Sequence, residues 1–154
     1  MDTADTATYQ RILAVVDLTP ESIEVARRAL RIASACGAAP PALLHIVEYV
    51  PVEPMSDSLL PAVQLEAGLL ERARTRMAEL VQNLGATLPW RVESGNVKNE
   101  ILRTAREGAH DLIVIGSHER HGLSILVNLT EDTVLHGAPC DVLAVRLGSA
   151  VAGA

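Results

Sequence analysis

The chain has 154 residues, of which 49% are hydrophobic, and a formal net charge of −6. This length fits one domain around one core. The net negative charge and the lack of a basic run argue against a nucleic-acid partner, because binding nucleic acid requires Lys and Arg that neutralise phosphates. We expect no membrane association and a cytoplasmic location, since no apolar stretch approaches roughly 18 residues and the acidic N-terminus has no apolar signal region.

The first predicted element is a buried strand over residues 11–17, with the sequence RILAVVD. A helix should follow at once. Thr19 can cap its free amides, Pro20 suits the first helical position, and Glu21 complements the helix dipole. Small and apolar residues then recur at helical spacing until Gly37, which is expected to end the helix.

A second buried strand is predicted within residues 42–50, after two prolines. Residues 51–61 contain three prolines and show no period, so we expect an irregular loop there. A long amphipathic helix follows and should end at Gly85, with its apolar face marked by six residues at helical spacing: Leu65, Leu69, Ala73, Met77, Leu80 and Leu84.

The C-terminal half continues the alternation of strands and helices. A third strand is predicted at residues 90–93, followed by a helix that Asn96 caps. The fourth strand is predicted at 111–115 and the fifth at 141–147, with an amphipathic segment between them that ends near His136. This alternation predicts a single doubly wound α/β domain, with right-handed crossovers and a parallel sheet covered on both faces.

Ligands of such sheets bind beyond the carboxyl ends of strands, where the strand order reverses. Asp17 ends the first predicted strand and Gly116 ends the fourth. Gly116 and Gly122 bracket a loop that contains Ser117, His118 and Glu119, and backbone amides in such a loop can form an anion site. Two glycines in a strand-to-helix turn are also typical of ordinary turns. Both interpretations stay open at this level.

Sequence motifs for catalysis or metal binding are missing. His118 and His121 are three residues apart, whereas the H-E-x-x-H zinc motif needs a spacing of four. Cys36 and Cys140 have no zinc-site or redox spacing, and no serine lies in a nucleophile elbow. Asp17 is not followed by the second aspartate of a D-x-D phosphotransferase motif. We therefore expect no metal, no catalytic residue and no enzyme.

Five segments, AVVDLTPES, LLHIVE, EILRTA, DLIVIGSHERHGLS and APCDVLAVRL, resemble the universal stress protein family. The resemblance covers residues 10–147 and implies one domain there, with flexible tails at 1–9 and 148–154. It implies a Rossmann-like, five-stranded parallel sheet of order 3-2-1-4-5. It also implies a stress-response role through protein contacts, as a homodimer formed along the last strand, Val142 to Leu147.

Family members that bind ATP carry a phosphate loop written G-x2-G-x9-G-(S/T). By this resemblance Asp17 lies at the adenosine end, Ile46 offers backbone contacts to the base, and Gly116 opens the loop. The second glycine of the motif falls on Glu119. A carboxylate about 4 Å from a phosphate charge would weaken binding by about one to three decades.

The last glycine of the motif is also lost. The final pair falls on Leu129-Thr130 at the family spacing, or on Asn128-Leu129 when aligned backward from residue 134, and glycine is what lets backbone amides approach a phosphate closely. We expect no required cofactor and no strong ATP binding. The alternative is an ATP-binding regulatory module with Mg²⁺, in which Thr130 supplies a hydroxyl. Slow ATP hydrolysis, as in some relatives, stays open within that alternative.

Overall fold

The computed structural model describes residues 8–48, 60–118 and 134–148. Strands and helices alternate along these residues, and residues 134–137 are helical as well. The elements are β1 (Ile12–Val15), α1 (Ser22–Cys36), β2 (Ala42–Val47), α2 (Leu60–Leu84), β3 (Trp90–Ser94), α3 (Val97–Glu107), β4 (Leu112–His118) and β5 (Asp141–Leu147). Within the described ranges, no helix is long and apolar enough to cross a membrane.

The strands form one sheet in the order β3-β2-β1-β4-β5, and every pairing is parallel. β1 is central, with Leu13 opposite Ala42 of β2 on one side and Ile113 of β4 on the other. This confirms the doubly wound α/β class and the order 3-2-1-4-5. The sheet is built from short apolar runs, as parallel strands buried on both faces require.

Alternate residues of β1 divide the core between the two faces of the sheet. Ile12, Ala14 and Val16 pack in the first cluster, together with buried residues of α1 and α2. Leu13 packs in the second cluster, which includes residues of α3 and Val134. Helices on both faces therefore bury Ile12, Leu13 and Ala14, and the carboxyl end of β1 is the part of this strand that can reach a ligand.

The start of α1 differs from the sequence prediction. The helix begins at Ser22, and its N-cap residue is Glu21, which makes no side-chain capping bond. The prediction that Thr19 caps the helix and that Pro20 is its first residue was wrong, because the Thr19 hydroxyl bonds to Asp17 instead. A short polar side chain that forms a hydrogen bond within a neighbouring turn is less available to cap the helix.

Two other helix boundaries behave as predicted. Gly37 ends α1 in the left-handed conformation, with φ of 64°, where a side chain would be strained. The Asn96 side chain caps α3 by accepting a hydrogen bond from the Asn99 N–H, at 3.0 Å. The predicted loop over 51–61 was too long, since α2 already begins at Leu60. Pro61 is compatible with a helix that begins at Leu60, because proline is tolerated in the first turn of a helix.

Candidate functional site

The candidate site lies at the carboxyl ends of β1 and β4, which are neighbours at the centre of the sheet. From β1 the chain continues outward to β2 on one side, while β4 lies on the other side and continues to β5. This is the point at which the strand order reverses, and it is where open parallel sheets bind ligands. Asp17, Ile46 and the end of β4 surround it.

Asp17 holds the turn that leaves β1. Its Oδ1 accepts hydrogen bonds from the Thr19 N–H, at 3.0 Å, and from the Thr19 hydroxyl, at 2.6 Å. Leu18 between them has a positive φ of 61°, which is uncommon for a side chain of this size. An aspartate that bonds to the backbone two residues on is a recurrent way of fixing such a turn. The carboxylate therefore has a structural role in the turn.

Two side chains from other elements hold the same turn. His45 of β2 donates from Nδ1 to the Val16 carbonyl oxygen, at 2.8 Å, because a carbonyl can only accept. Arg76 of α2 donates from Nη2 to the Leu18 carbonyl oxygen, at 2.6 Å. Desolvation by burial lowers the pKa of His45, so the ring is neutral at physiological pH. The turn at Asp17 is thus fixed from the sheet and from α2.

Ile46 presents backbone groups toward the site. In β2 the Leu44 carbonyl faces β1 and accepts from the Val16 N–H, whereas the Val47 carbonyl faces β3 and accepts from the Gly95 N–H. Alternate residues of a strand direct their backbone groups to the same side, so the N–H and C=O of Ile46 face the β1 side, beyond the last pairing of β1. Its side chain is 7% exposed and belongs to the second core cluster.

Gly116 lies inside β4, because this strand continues to His118 instead of ending at residue 115 as predicted. It pairs with Val145, and a Cβ at this position would lie 2.7 Å from Leu147 Cδ1 and 3.2 Å from Val25 Cγ2. A side chain at this position would have to displace the Leu147 side chain and press on Val25. Close packing is sufficient to explain the glycine, whether or not a ligand binds nearby.

The structure brings Asp17, Ile46 and the Gly116-Ser117 end of β4 to the same end of the sheet. His118 is the last residue of β4. The remaining predicted positions lie outside the described residues, namely Glu119, Gly122, Asn128, Leu129 and Thr130. Among the residues that are described, no group of three or more His, Cys, Asp or Glu side chains could hold a metal ion.

Sequence analysis did not identify Arg76 as part of this end of the sheet. Its partner is a backbone carbonyl 58 residues away, and an exposed arginine on an amphipathic helix carries no motif that indicates such a bond. His45 also has a structural role here, through its bond to the Val16 carbonyl.

The universal stress protein family matches residues 8–146. The chain belongs to this family. It is 37% identical over 140 residues to Universal stress protein A homolog 2 of Coxiella burnetii, and the match covers 90% of this chain and 96% of that relative. Universal stress protein A homolog 1 of the same organism is 36% identical over 139 residues. Family membership confirms the resemblance seen in the sequence, and the relatives' names are consistent with a stress-response role.

Solved universal stress proteins have the same fold. UspA from Lactobacillus plantarum matches with a TM-score of 0.76 and 25% identity, over 92% of this chain and all of that chain (100%). A universal stress protein in complex with cAMP matches with a TM-score of 0.61 and 21% identity, over 92% of this chain and 99% of the other. At this level of identity the second likeness concerns the fold alone.

Proposed function

We propose that this universal stress protein acts in the stress response through protein contacts, as a homodimer formed along β5, and that it binds ATP weakly or not at all. We also propose that the protein has no catalytic residue and a cytoplasmic location. The observation that carries it is the character of the sheet edge at β5. The domain boundaries, 10–147 with tails on either side, are part of the same proposal.

β5 is a seven-residue strand at the edge of the sheet. On one side it pairs with β4 along its whole length, from Asp141 to Leu147. Val142 and Leu143 are only half-buried, and Ala144 is exposed. A long apolar edge strand would attract another strand, and natural proteins cover such an edge or pair it. A second copy related by a two-fold axis supplies a matching edge, which is the commonest form of oligomer.

Two residues of the candidate site, Asp17 and Gly116, have structural roles that do not need a nucleotide, and this supports weak nucleotide binding. The Asp17 carboxylate holds the turn through Thr19, and glycine at 116 fits the close packing of β4 against Leu147 and Val25. Neither feature needs a bound nucleotide to explain it. The sequence also lacks the two later glycines of the family motif, at Glu119 and at the end of the phosphate loop, and their absence is likewise expected to weaken ATP binding.

A charge placed on the β5 edge tests the dimer. Ala144 is exposed, so Ala144→Lys should leave the folded monomer intact, but the two lysines would face each other near the two-fold axis and repel. We expect wild type to sediment as a dimer at tens of micromolar and the variant to shift to monomer, with a dissociation constant raised about tenfold or more.

Ala78→Lys is the matched control, because Ala78 is exposed on α2 and the substitution makes the same change in charge. It should leave the dimer unchanged. The β5 interface would be disproved if wild type is a monomer at these concentrations, or if Ala144→Lys dimerises as well as Ala78→Lys.

The alternative function is an ATP-binding regulatory module. The backbone groups of Ile46, which face the space beyond β1, favour it because an adenine edge needs one donor and one acceptor. The cAMP complex of a universal stress protein with the same fold shows that a nucleotide is a ligand of that protein. The two functions differ in whether ATP with Mg²⁺ binds at micromolar concentration.

A further inference from the structure

The hydrogen-bond ladder between β1 and β2 stops at the edge of the candidate site. Val15 lies opposite Leu44, and the Val16 N–H donates to the Leu44 carbonyl at 2.9 Å. In a parallel ladder the next bond would run from the Ile46 N–H to the Val16 carbonyl. Within the described part of the chain this bond is not formed. The Ile46 N–H is therefore left out of the ladder at the point where it faces the candidate site.

The Val16 carbonyl has a different partner. The His45 ring donates to it from Nδ1 at 2.8 Å. Leu43 packs in the first core cluster with residues of α1 and α2, and alternate residues of a strand share a face, so the His45 side chain lies on that face too. The ring is thus out of the plane of the ladder. Hydrogen bonds follow the lone pairs of a carbonyl, so a carbonyl that points to this ring is turned away from the Ile46 N–H.

The chain beyond Val16 is held by a second donor. Arg76 of α2 donates to the Leu18 carbonyl at 2.6 Å, and Leu18 has a positive φ of 61°. A residue in such a conformation persists only where its surroundings fix it. His45 and Arg76 together hold the chain out of the sheet immediately after β1.

The bond to Val16 also fixes the protonation of the His45 ring. Burial lowers the pKa of His45, the bond to Val16 and the nearby Asp17 oppose this shift, and Arg76 adds to it. The ring is neutral and carries one proton, and a carbonyl can only accept a hydrogen bond. The proton is therefore on Nδ1, and Nε2 has none.

We infer that His45 is a positioning residue of the candidate site, which draws the Val16 carbonyl out of the β1–β2 ladder and so keeps the Ile46 N–H available to a ligand. Without the ring, this carbonyl can accept from the Ile46 N–H and extend the ladder by one bond. The link to a ligand rests on the alternative, nucleotide-binding function proposed above, whereas the backbone geometry can be tested with no ligand present.

His45→Leu tests this role because leucine is apolar and has no side-chain donor. In the variant the Val16 carbonyl should accept from the Ile46 N–H. The Ile46 amide should then exchange with solvent at least about fivefold more slowly, the factor that one net hydrogen bond contributes. Nuclear magnetic resonance measures this exchange, and a scalar coupling between the Ile46 nitrogen and the Val16 carbonyl carbon identifies the acceptor. Unchanged exchange with no such coupling would overturn the role of His45.

His45→Asn and His110→Leu are the two controls. An asparagine N–H can donate to the Val16 carbonyl from nearly the place of Nδ1, so the Ile46 amide should exchange as in wild type. His110 is a half-buried histidine before β4, at the opposite end of the sheet, and His110→Leu makes the same chemical change away from the site. If either control slows the Ile46 amide as much as His45→Leu does, the change does not depend on the bond to Val16.

Wild type alone supplies a further test, which remains decisive if the variants do not fold. At neutral pH the ring nitrogen resonances of His45 should show the proton on Nδ1, and the Ile46 nitrogen should have no coupling to the Val16 carbonyl. A proton on Nε2, or a coupling in wild type, would contradict the positioning role. If these results hold and ATP does not bind, His45 keeps its role at this end of the sheet and only the nucleotide is removed as the ligand.

Discussion

Replacing Gly116 with valine is expected to lower the melting temperature by about 2–12 °C. Any Cβ here would overlap Leu147 Cδ1, at 2.7 Å, and press on Val25, at 3.2 Å, and both neighbours are buried core residues that cannot move freely. Overpacking a core typically costs about 1–3 kcal/mol, and each kcal/mol shifts the midpoint by about 2–4 °C in a domain of this size. Thermal unfolding followed by circular dichroism measures the effect.

Gly148→Ala is the matched control, because a Cβ at Gly148 would meet no atom within 4 Å. This variant should melt within about 1 °C of wild type, as surface substitutions usually do. If Gly116→Val also melts like wild type, packing does not explain this glycine, and a role in a ligand loop becomes the better interpretation.

Asp17→Ala is expected to lower the melting temperature by about 2–12 °C. The change removes the acceptor of two hydrogen bonds from Thr19 and frees the turn in which Leu18 has a positive φ. Each such bond contributes roughly 0.5–1.5 kcal/mol, which converts to this range in a domain of about 150 residues.

Asp17→Asn tells whether the Asp17 side chain matters for its hydrogen bonds in the turn or for its negative charge. The asparagine keeps an oxygen that can accept from Thr19 and loses only the negative charge, so it should retain most of the stability that Asp17→Ala loses. A wild-type melting temperature for Asp17→Ala would show that the turn does not depend on this carboxylate, and Asp17 would then be better explained by a ligand.

The sequence was most informative about the strands. β5 has the predicted bounds, Asp141–Leu147, because a run of β-branched and aliphatic residues between turn residues has one plausible structure. The strand order came from the family resemblance, and the parallel pairings confirm it. Gly37 and Asn96 also behave as predicted, since both act through local backbone geometry.

The failed predictions have two causes, a competing local hydrogen bond for Thr19 and tertiary strand pairing for Gly116. Thr19 was predicted to cap α1, but a competing bond to Asp17 uses its hydroxyl. Gly116 was assigned to a loop, yet pairing with β5 extends β4 past it to His118. The bond from Arg76 to Leu18 joins parts of the chain that are 58 residues apart, so no local pattern could indicate it.

The central claim is that this universal stress protein works without strong nucleotide binding, and calorimetric titration with ATP and Mg²⁺ tests it most directly. The account predicts no heat beyond dilution with wild type at tens of micromolar, which corresponds to a dissociation constant of about 1 mM or weaker. A micromolar dissociation constant for wild type, with the binding heat lost in Asp17→Asn, would contradict the account and establish the ATP-binding module instead.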